Sequence, residues 1–251
     1  MKWVPDPLGR FRLRPYYERE ELDFECERLV SRFLERKYGV SCFPISTDDI
    51  TVMIEEDTSD LDLFADLSGF GEDVEGLTDF FPDRRPAVKI SVGLSLNSQK
   101  EYRLRTTLAH EYGHVRFHAF LWELNRWENP ERTIICTGKY NRLYGKLNRN
   151  VFDLNPRCKS TRILDTLSED WMEWQAAYAC GAFLMPLTPL KKLVNEFLHV
   201  NSDRNWLPVN TDEANRLTEI IVESFDVSPA AARARLQKLG FFQKTSSTAL
   251  R

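Results

Sequence analysis

The strongest constraint on this chain is the stretch Thr107-Leu-Ala-His-Glu-Tyr-Gly-His-Val-Arg-Phe-His118, where three of its four histidines fall. It contains H-E-x-x-H as His110, Glu111 and His114. On a helix, residues four apart are offset by about 40° and rise about 6 Å, so the two imidazoles share one face. Two imidazoles so placed can bind one zinc ion from the same side. Glu111 lies about 100° round from His110, where it can face a water at the metal's open position without ligating the ion. Two ligands and a general base are what metal-assisted hydrolysis requires.

The helix is supported by its flanks. Ser98 and Glu101 have the spacing of a capping box. Leu104, Leu108, Val115 and Leu121 supply apolar contacts, and no proline interrupts Gln99 to Leu124. A catalytic zinc takes three protein ligands and leaves one position open. His118 rises about 12 Å from His110, too far for one ion to reach both, which makes it a structural or outer-shell residue. His199 is isolated in the sequence. The remaining candidates are acids on a second long helix: Glu169, Asp170 and Glu173.

At 251 residues the chain suits one sizeable domain or a domain with additions. No apolar run approaches the roughly 20 residues of a membrane span. The opening Met1-Lys-Trp-Val-Pro-Asp-Pro lacks the apolar region of a signal peptide. Five scattered cysteines without C-x-x-C predict a reduced, cytoplasmic protein. The net charge of −4 is unevenly spread. Ser46 to Asp83 holds thirteen acids and no Lys or Arg, whereas Thr137 to Ile163 holds seven bases and one acid, Asp153. Either the two segments are solvated or face each other, or they select a partner by charge.

Read in order, residues 1 to 14 form an extended leader and Tyr17 to Lys37 an amphipathic helix that stops at Gly39. Thr47 starts a short helix through Glu56. Leu61 to Leu67, Val74 to Phe81 and Ala87 to Val92 read as strands, together a small antiparallel sheet before the H-E-x-x-H helix. Glu128 to Leu167 has no clean period and reads as a long, mostly irregular excursion. Ser168 begins the second long helix, ended by Pro186. Thr188-Pro189, Thr211 and Ser228-Pro229 each begin a further helix, the last closed by Gly240. The fold class is α+β.

Arg105-Thr-Thr-Leu-Ala-His-Glu-Tyr-Gly-His114 resembles the signature of the ImmA/IrrE-type zinc metallopeptidases. Their pattern continues in a Glu-x-x-Ala helix with a Leu-Met-Pro ending, and this chain has Glu173-Trp-Gln-Ala176 and Phe183-Leu-Met-Pro186. Phe225-Asp-Val-Ser228 and Ala232-Arg-Ala-Arg-Leu236 look like the family's closing helices. The resemblance spans roughly residues 45 to 240, with gaps, and implies that the third zinc ligand is Glu173. It also implies a minimal gluzincin-like domain over residues 1–242. Within it, 1–45 is an N-terminal extension and helix and 128–167 is a long insertion between the ligand helices; 243–251 follows it as a flexible tail. Departures are Ala176-Ala177 where the family has Ala-Asn, and Gln175 where an acid is common.

The expected activity is zinc-dependent peptide hydrolysis, with Glu111 as base and His110, His114 and Glu173 holding Zn2+. Tyr112, Tyr178, His118 and His199 are candidate donors to the oxyanion, with Tyr178 read first as a core aromatic. The resemblance implies a protein substrate, a cytoplasmic DNA-binding repressor. Two rivals remain. Thr211 to Leu239, with Arg233, Arg235 and Lys238, has the outline of a helix-turn-helix, although acids on its first helix and the acidic pI argue against direct nucleic-acid binding. The other rival keeps zinc and only binds a partner. DNA retention that weakens with salt favours the first, and zinc without turnover the second.

Overall fold

The computed structural model describes residues 1–70, 74–128, 157–159, 170–202 and 204–243, with an α+β architecture. Apart from Glu128 and residues 157–159, the expected insertion lies outside the described residues, and so do Glu169 and the tail beyond residue 243. Contacts divide the chain into two compact units, Met1–Leu22 with Thr47–Cys180, and Asp23–Ser46 with Gly181–Arg251. No helix among the described residues is long and apolar enough to cross a membrane.

The first unit opens with strands β1 (Lys2–Pro5) and β2 (Leu13–Tyr16), paired antiparallel into a ribbon. Helix α1 (Arg19–Tyr38) begins here and continues into the second unit. Helix α2 (Thr47–Asp57) carries two acids in its first turn, where the helix dipole favours them. Strands β3 (Asp60–Ala65), β4 (Val74–Asp79) and β5 (Ala87–Ser91) join β6 (Arg157–Lys159) in a four-stranded sheet of order β3-β5-β4-β6. The sheet is mixed, which corrects the expected all-antiparallel arrangement. The segment after β4 turns back to make β5 its antiparallel neighbour, and β3 then adds to the far side of β5 in parallel. Sequence neighbours β3 and β4 are therefore not sheet neighbours.

A single-turn helix α3 (Val92–Ser95) leads to α4 (Glu101–His118), the H-E-x-x-H helix. The expected capping box is absent. Asn97 caps a 3-10 turn at Ser98–Lys100 by accepting from the Gln99 N–H at 3.0 Å, and Glu101 instead pairs with the Thr47 hydroxyl. Helix α4 packs against α2 and β4. Every residue from Arg105 to Val115 is buried, the burial expected of a central helix rather than a surface one. Leu108, Val115 and Leu121 are buried as expected, though Leu121 belongs to the next helix, α5 (Phe120–Glu128).

Helix α6 (Trp171–Leu184) is capped by Asp170, whose side chain accepts from the Met172 N–H at 2.9 Å. A cluster of Phe80, Leu121, Trp171 and Met172, joined by Phe11 and Trp122, anchors its first turn. Phe80 stacks on Trp122 with ring centroids 4.0 Å apart. The acids of the Ser46–Asp83 run meet bases from nearby elements. Asp57 takes Arg116, Asp79 takes Lys89, and Glu75 takes Arg103. The basic run itself lies outside the described residues except for the backbone of Arg157 and Lys159.

The second unit contains most of α1, the end of α6, then α7 (Leu187–Asn201), α8 (Asp212–Phe225) and α9 (Pro229–Lys238). Short strands β7 (Leu207–Pro208) and β8 (Phe242–Gln243) pair in parallel. Thr211 and Ser228 cap α8 and α9 as their sequence positions predict, accepting from the N–H of Ala214 and Ala231. Helix α7 begins one residue before Thr188, after Pro186, and the Thr188 N–H is taken by Glu27 instead. Arg235 and Asp23 form a buried ion pair.

In the first unit, α4 meets α6 at a glycine. A Cβ on Gly113 would lie 3.1 Å from the Ala176 Cα and 3.2 Å from its carbonyl oxygen, both backbone atoms that cannot turn aside. In the second unit, a Cβ on Gly181 would meet only the flexible Arg235 Cδ, at 3.4 Å. Gly113→Ala should therefore destabilise the protein by about 1–3 kcal/mol, as overpacking does. Gly181→Ala should be neutral or gain up to about 1 kcal/mol from helix propensity. Denaturant unfolding of the two variants checks both signs, and equal effects would refute the close approach at Gly113.

Candidate metal centre

Helix α4 delivers His110 and His114 to one face, and α6 brings Glu173 opposite them. His110 Nε2 lies 3.1 Å from His114 Nε2 and 3.2 Å from Glu173 Oε2, and His114 Nε2 lies 3.5 Å from Glu173 Oε1. An ion bonded at about 2 Å to tetrahedrally placed donors holds them about 3.3 Å apart, and the spacings here are of that size, with a different Glu173 oxygen facing each imidazole. The group can hold a metal ion. The imidazoles are buried, while the Glu173 side chain keeps 19% of its exposure. Asp170, another candidate ligand in the sequence, is engaged elsewhere by two bonds from Arg10, at 2.7 and 2.6 Å.

Glu111 is fully buried beside this group. Its Oε2 accepts from the Thr78 hydroxyl at 2.6 Å, and its Oε1 has no hydrogen-bond partner among the described residues. Burial pushes its pKa up to about 7, against the opposing pull of His110 and of the Thr78 bond, with Glu173 and Asp79 adding to the rise. A carboxyl poised near neutrality can both take and return a proton. The room for it comes from Gly76, because a Cβ there would sit 2.6 Å from Glu111 Oε1 and 2.8 Å from Thr107 Cγ2. Gly76 and Thr78 are two apart on β4 and so share the sheet face towards α4. Sequence reasoning did not single out either residue; each contributes through a contact across more than thirty positions.

His118 does not join the coordinating group. Its Nδ1 lies 3.0 Å from His114 Nδ1 and its Nε2 lies 3.0 Å from Gln175 Oε1. Burial pushes the pKa of His118 down to about 3, and that of His114 well below the ordinary histidine value. The other expected oxyanion donors are placed differently. Tyr112 donates to Asp57 at 2.8 Å, Tyr178 is buried in α6 beside Trp174, and His199 is exposed on α7 of the second unit. No protein-family model and no curated protein matches this sequence.

The raised pKa of Glu111 has a measurable consequence in the metal-free protein. The group's folded pKa exceeds its unfolded value of 4.5, so its contribution is fully present below pH 4.5 and is lost as the pH rises through 7. The loss amounts to about 3 kcal/mol. Glu111→Gln removes this titration, so the variant should gain stability over wild type progressively from pH 5 and level off above pH 7. Thermal unfolding of both proteins across that range checks it; a pH-independent difference would mean that Glu111 ionises normally.

Proposed function

We propose that this chain is a zinc-dependent endopeptidase of the ImmA/IrrE type that cleaves a cytoplasmic transcription regulator. The observation that carries the reading is the convergence of His110, His114 and Glu173 with a buried carboxylate, Glu111, next to them. Two imidazoles and one carboxylate are the donor set of catalytic zinc in several peptidases. Bound there, zinc would supply Lewis acidity for hydrolysis. The protein's own part is then proton transfer and positioning. Glu111 takes a proton from the attacking water and returns it to the leaving amine, while Thr78 holds the carboxylate in place. The regulator as substrate rests on the family resemblance alone.

The DNA-binding alternative draws less support from the second unit. Arg235 is buried against Asp23, and Arg233 donates to the Asn215 side chain and the Val209 carbonyl. Two of the three bases that would face a phosphate backbone are therefore engaged within the unit.

Purified protein should bind about one zinc per chain, and alanine at His110, His114 or Glu173 should each lose most of it. Zinc-loaded protein should cleave a transcription regulator encoded beside its gene, with the cut located by mass spectrometry and abolished by a chelator. Glu111→Gln should keep the zinc and lose at least about 100-fold in turnover. Zinc binding without cleavage of any such regulator would leave a partner-binding protein, and undiminished cleavage by Glu111→Gln would remove Glu111 as the base.

A further inference from the structure

We propose that the N-terminal ribbon sets the metal-binding tautomer of His114 through a relay of Gln175 and His118. The inference rests on the metal centre described above, but it concerns hydrogen positions that exist before any ion arrives. A neutral imidazole carries one proton, and only its bare nitrogen can ligate a metal. Whether His114 offers Nε2 is therefore decided by what its Nδ1 faces.

The chain of contacts allows one assignment. The Pro15 carbonyl of β2 can only accept, so the Gln175 atom 3.0 Å from it is the amide nitrogen. That orients the amide and turns its carbonyl oxygen to His118 Nε2, at 3.0 Å. An amide oxygen can only accept, so His118 Nε2 carries the ring proton. The His118 ring is fully buried, and burial favours the uncharged imidazole, so with Nε2 carrying the one ring proton towards the amide oxygen its Nδ1 is a lone pair. This lone pair faces His114 Nδ1 at 3.0 Å, so His114 holds its proton there. His114 Nε2 is then bare, and it is the atom that lies 3.1 Å from His110 Nε2 and 3.5 Å from Glu173. Four polar groups in series thus present one lone pair to the ion. Such outer-shell partners fix ring orientation and raise ligand basicity.

The ribbon is held to α6 by a second set of bonds, which keeps Pro15 opposite Gln175. Asp6 accepts from the Trp171 indole N–H at 2.8 Å, and from the Arg10 and Phe11 N–H groups at 2.9 and 3.0 Å. The Arg10 side chain, only 7% exposed, donates twice to Asp170 at the cap of α6. The segment of residues 1 to 14, which the sequence reads as an extended leader, is thereby fastened to the helix that carries Glu173. A carboxylate in place of Gln175 could accept from His118 but could not donate to the Pro15 carbonyl.

The test uses the full chain. Zinc affinity is measured by chelator competition for wild type, His118→Phe and Gln175→Leu, with the melting temperature of each metal-free form as a check on folding. Both variants should weaken zinc binding by about 10- to 100-fold. Folded variants that bind zinc as tightly as wild type would overturn the relay. Nitrogen-15 NMR of the metal-free wild type decides the matter even if the variants do not fold. His114 should show a protonated Nδ1 and a bare Nε2, and His118 the reverse; the opposite tautomer at His114 would sink the proposal. Failure of the wild type to bind zinc at all would refute the metal-centre reading instead, leaving the tautomer measurement to judge the relay by itself.

Discussion

The first unit depends on keeping ionisable side chains out of water along α4, where every residue from Arg105 to Val115 is buried. Removing a charge or an unpaired polar group from water is costly, so each such group on α4 needs a specific partner. Thr78 serves Glu111, Gln175 serves His118, and Asp57 serves Tyr112 and Arg116. These partners come from β4, α6 and α2, the elements that enclose the helix. The architecture around α4 is thus as much a set of hydrogen-bond donors and acceptors as it is an apolar shell. Burial also moves the protons, raising the pKa of Glu111 and lowering those of His114 and His118.

Two glycines make this arrangement possible by what they lack. Gly113 lets α6 come close enough for Glu173 to reach both imidazoles, and Gly76 leaves space for the Glu111 carboxylate beside β4. In both places the neighbour is fixed by other contacts, Ala176 by its helix backbone and Glu111 by Thr78. The position of the centre is therefore set by close backbone approach, and the aromatic cluster of Phe80, Trp122 and Trp171 steadies the start of α6 from the other side.

Much of the local structure was legible because it follows from short-range rules. The caps at Thr211 and Ser228 and the helix stops at Gly39 and Gly240, where φ is positive, were all read from neighbouring residues. Readings that depended on longer-range competition went differently. Ser98 and Glu101 had the spacing of a capping box, but Asn97 took the cap and Thr47, fifty-four residues away, took the Glu101 carboxylate. Strands β3, β4 and β5 were placed to within two residues, yet their antiparallel order failed at β3, and the ribbon of β1 and β2 was read only as an extended leader. Strand propensity is local, whereas the choice of neighbour in a sheet is made by the path of the chain between strands.

The sequence by itself determined that His110, Glu111 and His114 share a helix and in what relation, because helical spacing dictates it. It also supplied Glu173, by resemblance to a family motif rather than by any spacing rule. Only the tertiary structure decided that Glu173 meets both imidazoles while Asp170 turns to Arg10, and that Thr78 and Gly76 shape the surroundings of Glu111. It also decided that Pro15, Gln175 and His118 stand behind His114. The physical reason is common to all of these. A hydrogen bond or a close contact between residues dozens of positions apart leaves no periodicity in the sequence, and it exists only once packing has brought the two ends together.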